Sequence, residues 1–222
     1  MFKLLRKLYQ IRLLSFVGIY QVLLAVWKEG TNLMALLRIS AKLHPKKIAV
    51  DEVEASLSYL ELLQTAQQLT IALHTGYQIK PGQRVAIACR NHSAHLKALF
   101  AISRLGAHVY LLNPEMTLEQ FKNTIAQYSI SFIIYDSHIY QIINQLGIDS
   151  LVTYSPIESN IDALSKKTLE EKAPKIKRQY KGKLIVLTGG STGTPKSAAR
   201  KPSIFDFLPP LFALLNQVKL DE

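Results

Sequence analysis

The sequence predicts an α/β fold in which a mostly parallel sheet carries helices on both faces. Two observations predict it. Within residues 44–154, short apolar runs alternate with amphipathic segments of helical period. Helix-start signals separate these runs: Ser58–Glu61 and Thr117–Gln120 each have the spacing of a capping box. Helices that join parallel strands cross over in a right-handed sense, so both faces of the sheet become covered.

The first half of this region gives two short strands, a helix, a longer strand and a second helix. Strands are predicted at 48–50, 55–57 and 84–89, and helices from Ser58 to Gly76 and from Asn91 or Ser93 to Gly106. The first helix follows from its capping box and the second from a polar cap before a helical apolar period. Glycine is common just after the last residue of a helix, so Gly76 and Gly106 mark the C-terminal ends of the two helices.

The second half continues the alternation. Strands are predicted at 109–112, 131–135, 151–154 and 184–187, and helices from Thr117 to Tyr128 and through Ile139 to Leu146. The strands are apolar along their length rather than alternating with polar residues. That pattern is typical of parallel strands buried on both faces.

Composition narrows the class of protein. The chain has 222 residues, 27 Lys and Arg against 16 Asp and Glu, and 48% hydrophobic residues. It is too apolar for a disordered tail and long enough to bury a core. Cys89 is the single cysteine, which excludes a disulfide framework and indicates a reducing, cytoplasmic compartment.

Residues 1–43 are predicted to form a basic and apolar N-terminal helical arm. Leu13 to Trp27 has 15 residues without charge, about 22 Å of helix against a hydrocarbon core of about 30 Å. That length is short for a membrane span. Two interpretations stay open: residues 1–40 lie peripherally on the inner face of the membrane, or this helix packs on the rest of the protein. The first 50 residues carry one acidic residue, Glu29, and nine basic ones: Lys3, Arg6, Lys7, Arg12, Lys28, Arg38, Lys42, Lys46 and Lys47.

Residues 44–222 are predicted to be one α/β domain. Within it, residues 155–182 carry seven Lys and Arg and two prolines, which indicates a basic surface linker. Residues 183–197 then form a strand and a loop rich in Gly, Ser and Thr.

This loop is suited to binding a polyphosphate. Glycines allow close backbone approach, so that successive N–H groups can point inward, and the hydroxyls and one lysine add donors. The candidate phosphate-binding residues are Thr188, Gly189, Gly190, Ser191, Thr192, Gly193, Thr194 and Lys196. No catalytic residue and no metal ligand is assigned.

A Walker A loop does not fit this segment. Pro195 stands where the motif needs its last glycine, one residue before Lys196. Proline has no N–H and a fixed φ, so it cannot supply the backbone donor on which that loop depends.

The segment resembles instead the signature loop of adenylate-forming (AMP-binding) enzymes, T-S-G-T-T-G-x-P-K-G. Thr188, Gly190, Thr192, Gly193, Pro195 and Lys196 match it, with Ser191 in place of Thr. Within that superfamily the chain looks like the N-terminal portion of long-chain acyl-CoA synthetases, the fatty-acid CoA ligases. Further segments resemble the family in order and spacing: His44–Ala49, Leu57–Leu62, Lys80–Ala86, Leu99–Ala107 and Leu111–Asn113.

The resemblance implies ATP-dependent adenylation of a fatty acid, with Mg²⁺, followed by transfer of the acyl group to coenzyme A. Residues 188–196 would hold the β and γ phosphates. Two positions depart from the motif: Gly189 replaces Ser, which removes a hydroxyl, and Ser197 replaces Gly. Family members continue well beyond residue 222. We therefore expect a truncated AMP-binding domain, without acyl-CoA synthetase activity unless a complementary polypeptide supplies the remainder.

The alternative from another class is a non-catalytic basic module that binds anionic membrane or nucleic acid. Nucleic acid is not expected as a partner, since the sequence shows no nucleic-acid-binding motif. Other chemistry-bearing residues are interpreted as structural. Cys89 is expected to be an inert core thiol without a histidine nearby, and His92 and His95 to face solvent without a carboxylate or Cys beside them.

Overall fold

The structure is a computed structural model that describes residues 9, 13, 15–53, 56–153, 161, 176–177, 182–188 and 196–200. For residues 188 and 196–200 it describes the backbone only. The helices are α1 (Phe16–Glu29), α2 (Leu33–Leu43), α3 (Tyr59–Thr75), α4 (Ser93–Arg104), α5 (Leu118–Tyr128) and α6 (Tyr140–Ile143), the last directly after a 3₁₀ turn (Ser137–Ile139). The strands are β1 (Ile48–Asp51), β2 (Ser56–Ser58), β3 (Arg84–Ala88), β4 (His108–Leu111), β5 (Phe132–Tyr135), β6 (Asp149–Val152), β7 (Leu184–Thr188) and β8 (Lys196–Arg200).

The predicted parallel sheet is confirmed. Its six strands lie in the order β6-β5-β3-β4-β7-β8, and the first five are parallel. β8 runs antiparallel to β7 and was not predicted, because Lys196–Arg200 has neither a continuous apolar run nor a period-two pattern. β1 and β2 form a separate antiparallel hairpin before α3.

Both faces of the sheet are buried, as predicted. On one face, Val85 and Ile87 of β3 pack in a cluster that includes residues of α3 and α4. On the other, Ala86 and Ala88 pack with Phe121 of α5 and with residues of the 3₁₀ turn and α6. The alternation of sides along β3 therefore places α4 and α5 on opposite faces.

The capping boxes at Ser58 and Thr117 are confirmed, with both reciprocal hydrogen bonds present in each. The start of α4 differs from the prediction: its N-cap is His92, whose side chain accepts from the N–H of His95. Glu52 lies beside this helix start, and its carboxylate accepts from the backbone N–H of Ser93 and from its hydroxyl. A carboxylate at a helix N-terminus is favourable because of the free N–H groups and the helix dipole.

The last predicted helix and strand of the parallel region also differ in detail from the structure. The predicted helix through Ile139 to Leu146 is a 3₁₀ turn followed by a single short helix, and Asp136 at its start makes no side-chain cap bond. β6 begins two residues earlier than predicted, because pairing with β5 aligns Asp149 with Phe132 and extends the ladder over polar residues.

The N-terminal helices pack on the sheet domain. Met34 and Leu37 of α2 join Leu62, Leu63 and Ala66 of α3 in one buried cluster. α1 packs on α2 through Ala25, against Ala35 and Ile39. In the part of the chain that the structure describes, no helix combines the length and apolarity needed to cross a membrane.

Candidate functional site

The five parallel strands end at one edge of the sheet, and polar residues follow several of them. β3 is followed by Cys89, β5 by Asp136 and β6 by Thr153, while β4 ends at Leu111 and β7 at Thr188. The loops leaving β3 and β4 turn to opposite faces, since α4 and α5 lie on opposite sides. In open α/β sheets, ligands bind outside the carboxyl ends of strands at such a reversal.

The two described ends of the predicted phosphate loop lie at this edge. Thr188, at the end of β7, is the ladder partner of Lys196, at the start of β8. These two residues are thus neighbours across the β7–β8 pair, and β7 also pairs with β4. The six predicted ligands between them lie outside the described residues: Gly189, Gly190, Ser191, Thr192, Gly193 and Thr194.

A second polar cluster lies at the same edge, around Asp136. Its Oδ1 accepts from the hydroxyl of Thr153 at 2.6 Å and lies 2.8 Å from Nε2 of His92. Its Oδ2 accepts from the backbone N–H of Arg90 at 2.8 Å. Burial alone would raise the pKa of Asp136, but the hydrogen bonds from Thr153, Arg90 and His92 outweigh it and lower that pKa below its usual value.

Cys89 lies in the same cluster. Its thiol is buried and donates to the carbonyl oxygen of Ile134 at 3.6 Å. Burial, and then the charge of Asp136, raise the pKa of this thiol far above its usual value, so it stays protonated and unreactive. The expectation that no histidine lies nearby was wrong, because Sγ of Cys89, a ring nitrogen of His92 and an Asp136 oxygen lie within 4.8 Å of one another.

The interpretation of His92 and His95 as solvent-facing was also wrong. Both are partly buried, and the carboxylate of Asp136 and the thiol of Cys89 lie beside His92. Burial lowers the pKa of His95, whose Nδ1 lies 3.4 Å from the carbonyl oxygen of Cys89. The sequence contained part of the signal for this cluster, because Cys89, His92 and His95 follow β3 and Asp136 follows β5. Neighbouring parallel strands bring their ends together.

Cys, His and Asp are residue types that bind zinc, but the hydrogen bonds of this cluster favour a structural role. Nδ1 of His92 accepts from the N–H of His95, so we assign the ring proton to Nε2, which donates to Asp136. The carboxylate already accepts from three donors. Asp136 and His92 thus tie together the ends of β3, β5 and β6 and the start of α4.

Asp136 is not assigned as a ligand of Mg²⁺ either, because its carboxylate already accepts from three donors. The sequence of the loop supplies N–H, hydroxyl and ammonium donors, which suit phosphate oxygens rather than a metal ion. Among the described residues we assign no magnesium ligand.

The sheet order, with five parallel strands and one antiparallel edge strand, defines an α/β protein. The AMP-binding enzyme family matches residues 37–201, so the chain belongs to that family. This confirms the coarser part of the resemblance. The predicted fold, an α/β portion of an adenylate-forming enzyme preceded by N-terminal helices, is confirmed as well.

Relatives support the same family. A feruloyl-CoA synthase of Amycolatopsis sp is 28% identical over 159 residues, 71% of this chain and 31% of the relative. The AMB antimetabolite synthetase AmbB of Pseudomonas aeruginosa is 27% identical over 164 residues, 74% of this chain and 12% of the relative. Among solved structures, the chain is similar to the O-succinylbenzoate coenzyme A synthetase MenE of Bacillus subtilis in complex with AMP. The TM-score is 0.66 at 19% identity, and the match covers 84% of this chain and 46% of the MenE chain. The chain thus spans about a third of the length of the first of these relatives.

The cluster around Asp136 predicts a pH-dependent stability. Asp136→Asn replaces an acceptor of three hydrogen bonds by an amide, and we expect the free energy of unfolding at pH 7 to fall by about 2 kcal/mol. Because the folded pKa is lowered, the carboxylate stabilises above the unfolded value of about 3.9 and loses this effect as the pH falls through the folded pKa. Urea unfolding from pH 7 to 3 should therefore show the difference from the unmodified chain narrowing below about pH 4.

Asp149→Asn is the matched control, since Asp149 is exposed. It removes the same charge and should change stability by less than about 0.5 kcal/mol at any pH. Equal effects of the two substitutions would contradict the structural role of Asp136.

Proposed function

We propose that residues 188–196 bind the β and γ phosphates of ATP, in a protein that activates a carboxylic acid as its adenylate. The observation that carries this proposal is the pairing of Thr188 with Lys196 at the carboxyl edge of the parallel sheet. This pairing closes the signature-like loop at the edge where α/β proteins bind their ligands. Membership of the AMP-binding enzyme family supports it.

Each residue type in the loop has a distinct task. Glycines 189, 190 and 193 let the backbone approach the phosphates, so that N–H groups can donate to them. The hydroxyls of Thr188, Ser191, Thr192 and Thr194 add donors, and Lys196 adds a positive charge. Donors that are fixed before the reaction stabilise the negative charge that develops on the leaving pyrophosphate. Mg²⁺, when bound with ATP, neutralises part of the same charge.

For the acid we propose a fatty acid, with coenzyme A as the acceptor of the acyl group. This specificity is supported by the resemblance of five further segments, among them Lys80–Ala86 and Leu99–Ala107, to the fatty-acid CoA ligases. One relative is a feruloyl-CoA synthase. Ferulate is therefore the competing acid that an experiment has to include.

Lys196→Ala tests the phosphate site. Loss of one charge-assisted contact is worth about 1.5–3 kcal/mol, so Mg·ATP should bind about 10-fold to 100-fold more weakly. Isothermal titration calorimetry on the full chain measures it. Lys122→Ala removes an equal charge from the exposed face of α5 and should leave binding unchanged. Equal affinity of the Lys196 variant and the unmodified chain would contradict the proposed site.

Non-hydrolysable acyl-adenylate analogues test the acid. A dodecanoyl analogue should bind at least about tenfold more tightly than a feruloyl analogue, because each CH₂ removed from water contributes about 0.8 kcal/mol. Tighter binding of the feruloyl analogue, measured in the same titration, would show that the acid is aromatic and that the fatty-acid assignment is wrong.

We also propose peripheral contact of the N-terminal arm with an anionic membrane surface at the cytoplasmic side. α1 has two unlike faces. Its inner face is buried at Gly18, Ala25 and Glu29 and packs on α2. The opposite face carries large apolar side chains with exposed fractions between 49% and 96%: Phe16, Ile19, Tyr20, Leu23 and Trp27.

Charge favours an anionic lipid surface as the partner of this exposed face. Glu29, the single acidic residue before Asp51, is buried and paired with arginines, whereas Lys28 is exposed beside Trp27. An apolar helix face flanked by basic residues is typical of helices that lie in a membrane interface.

Replacing Phe16, Leu23 and Trp27 together by Ser tests this contact. Each buried side chain of this size contributes about 1.5–3 kcal/mol, so the variant should lose co-sedimentation with vesicles of phosphatidylglycerol and phosphatidylcholine. Tyr140→Ser, at an exposed position of α6, is the control and should sediment like the unmodified chain. If the unmodified chain stays in the supernatant, the membrane proposal is wrong.

A further inference from the structure

A buried ion-pair network joins the N-terminal arm to the sheet domain. Its centre is the carboxylate of Glu29, at the end of α1, which is 4% exposed. Oε1 accepts from Arg38 of α2 and, at 3.3 Å, from the amide of Gln67 in α3. Oε2 accepts from Nε of Arg104, at the end of α4, at 2.5 Å. One carboxylate thus contacts three other helices.

Arg104 uses its remaining nitrogens on a distant segment of the chain. Nη1 donates to the carbonyl oxygen of Lys177 at 3.0 Å, and Nη2 donates to that of Ile176 at 2.9 Å. The planar guanidinium makes all three contacts at once because its donors point in fixed, different directions. A lysine ammonium at this position could not keep this arrangement.

The residues after Arg104 contact the same segment again, immediately before β7. Gly182 lies so close to this turn that a Cβ on it would be 2.7 Å from the carbonyl oxygen of Ala107. Nδ1 of His108 accepts from the N–H of Lys183 at 3.1 Å. The carbonyl of Lys183 accepts from the N–H of Val109 at 2.8 Å.

These contacts fix where β7 begins, and β7 leads directly into the proposed phosphate loop. The strand pairs with β4 from Leu184 to Val186 and holds Ile185 in the core. A shift of one residue would move Ile185 out of the core and displace the loop by about 3.3 Å. The contacts that hold the start of β7 therefore also determine the position of the loop that follows its end.

We infer that Arg104 is a positioning residue for the phosphate loop, held in its orientation by Glu29 of the N-terminal arm. Arg104 fixes the segment that precedes β7, and through β7 it fixes the loop at the carboxyl edge of the sheet. For its effect on phosphate binding the inference rests on the proposed function. Its effect on the order of β7 does not depend on that function.

Arg104→Lys and Arg38→Lys form a matched pair of variants of the full chain. Both keep a positive charge next to Glu29, and both lose a guanidinium. Of the two arginines, Arg104 is the one that the structure places on the carbonyls of Ile176 and Lys177. A purely structural role in neutralising Glu29 would make the two variants alike.

Amide hydrogen exchange is the first measurement. In Arg104→Lys the amides of Leu184–Thr188 should exchange at least about tenfold faster relative to those of β3, as expected for loss of charge-assisted hydrogen bonds. In Arg38→Lys this ratio should stay unchanged. Equal exchange of β7 in the two variants would overturn the inference, whatever the result for ligand binding.

The second measurement is the binding of inorganic pyrophosphate, followed by calorimetry. Arg104→Lys should weaken it about tenfold and Arg38→Lys should not. If the unmodified chain binds pyrophosphate and both variants bind it equally well, the positioning role is wrong and the phosphate site stands. If the unmodified chain does not bind it, the proposed function fails, and exchange in β7 alone decides the role of Arg104.

Discussion

Burial of β3 on both faces is the constraint on which the rest of the structure depends. Its neighbours β4 and β5 are parallel to it, so the chain has to return across a face of the sheet between successive strands. Apolar side chains on both sides of β3 require a helix on each face. The strand ends then gather at one edge, and the polar residues that follow them become neighbours although they are far apart in sequence.

Two polar networks stabilise opposite edges of this sheet. At the carboxyl edge, Asp136 links the ends of three strands to the start of α4. At the amino edge, Arg104 links the end of the same helix to the segment before β7. One network therefore lies at the start of α4 and the other at its end. Each centres on a buried carboxylate, Asp136 or Glu29, whose oxygens accept from several donors.

Much of the fold follows from local signals in the sequence. The apolar runs of β3 and β5 and the capping boxes at Ser58 and Thr117 identify their elements, because burial on two faces and helix capping depend on residues close in sequence. β8 and the exact span of β6 depend on strand pairing, which local pattern does not show. Residues 188–196 could be identified as a motif, and their binding of phosphate stays a prediction. The Asp136 cluster was missed: the sequence shows that its residues follow β3 and β5, but only the strand pairing shows that these two strands are neighbours.

The burial of Glu29 means that the N-terminal helices are not a detachable module. Replacing Glu29 alone would leave Arg104, which is 8% exposed, without the carboxylate that compensates its charge. Leaving one partner of a buried ion pair alone costs about 3–5 kcal/mol, a large share of the stability of a typical domain. An exchange of this region between homologous proteins would therefore be tolerated only when the acid at position 29 and the base at position 104 are exchanged together.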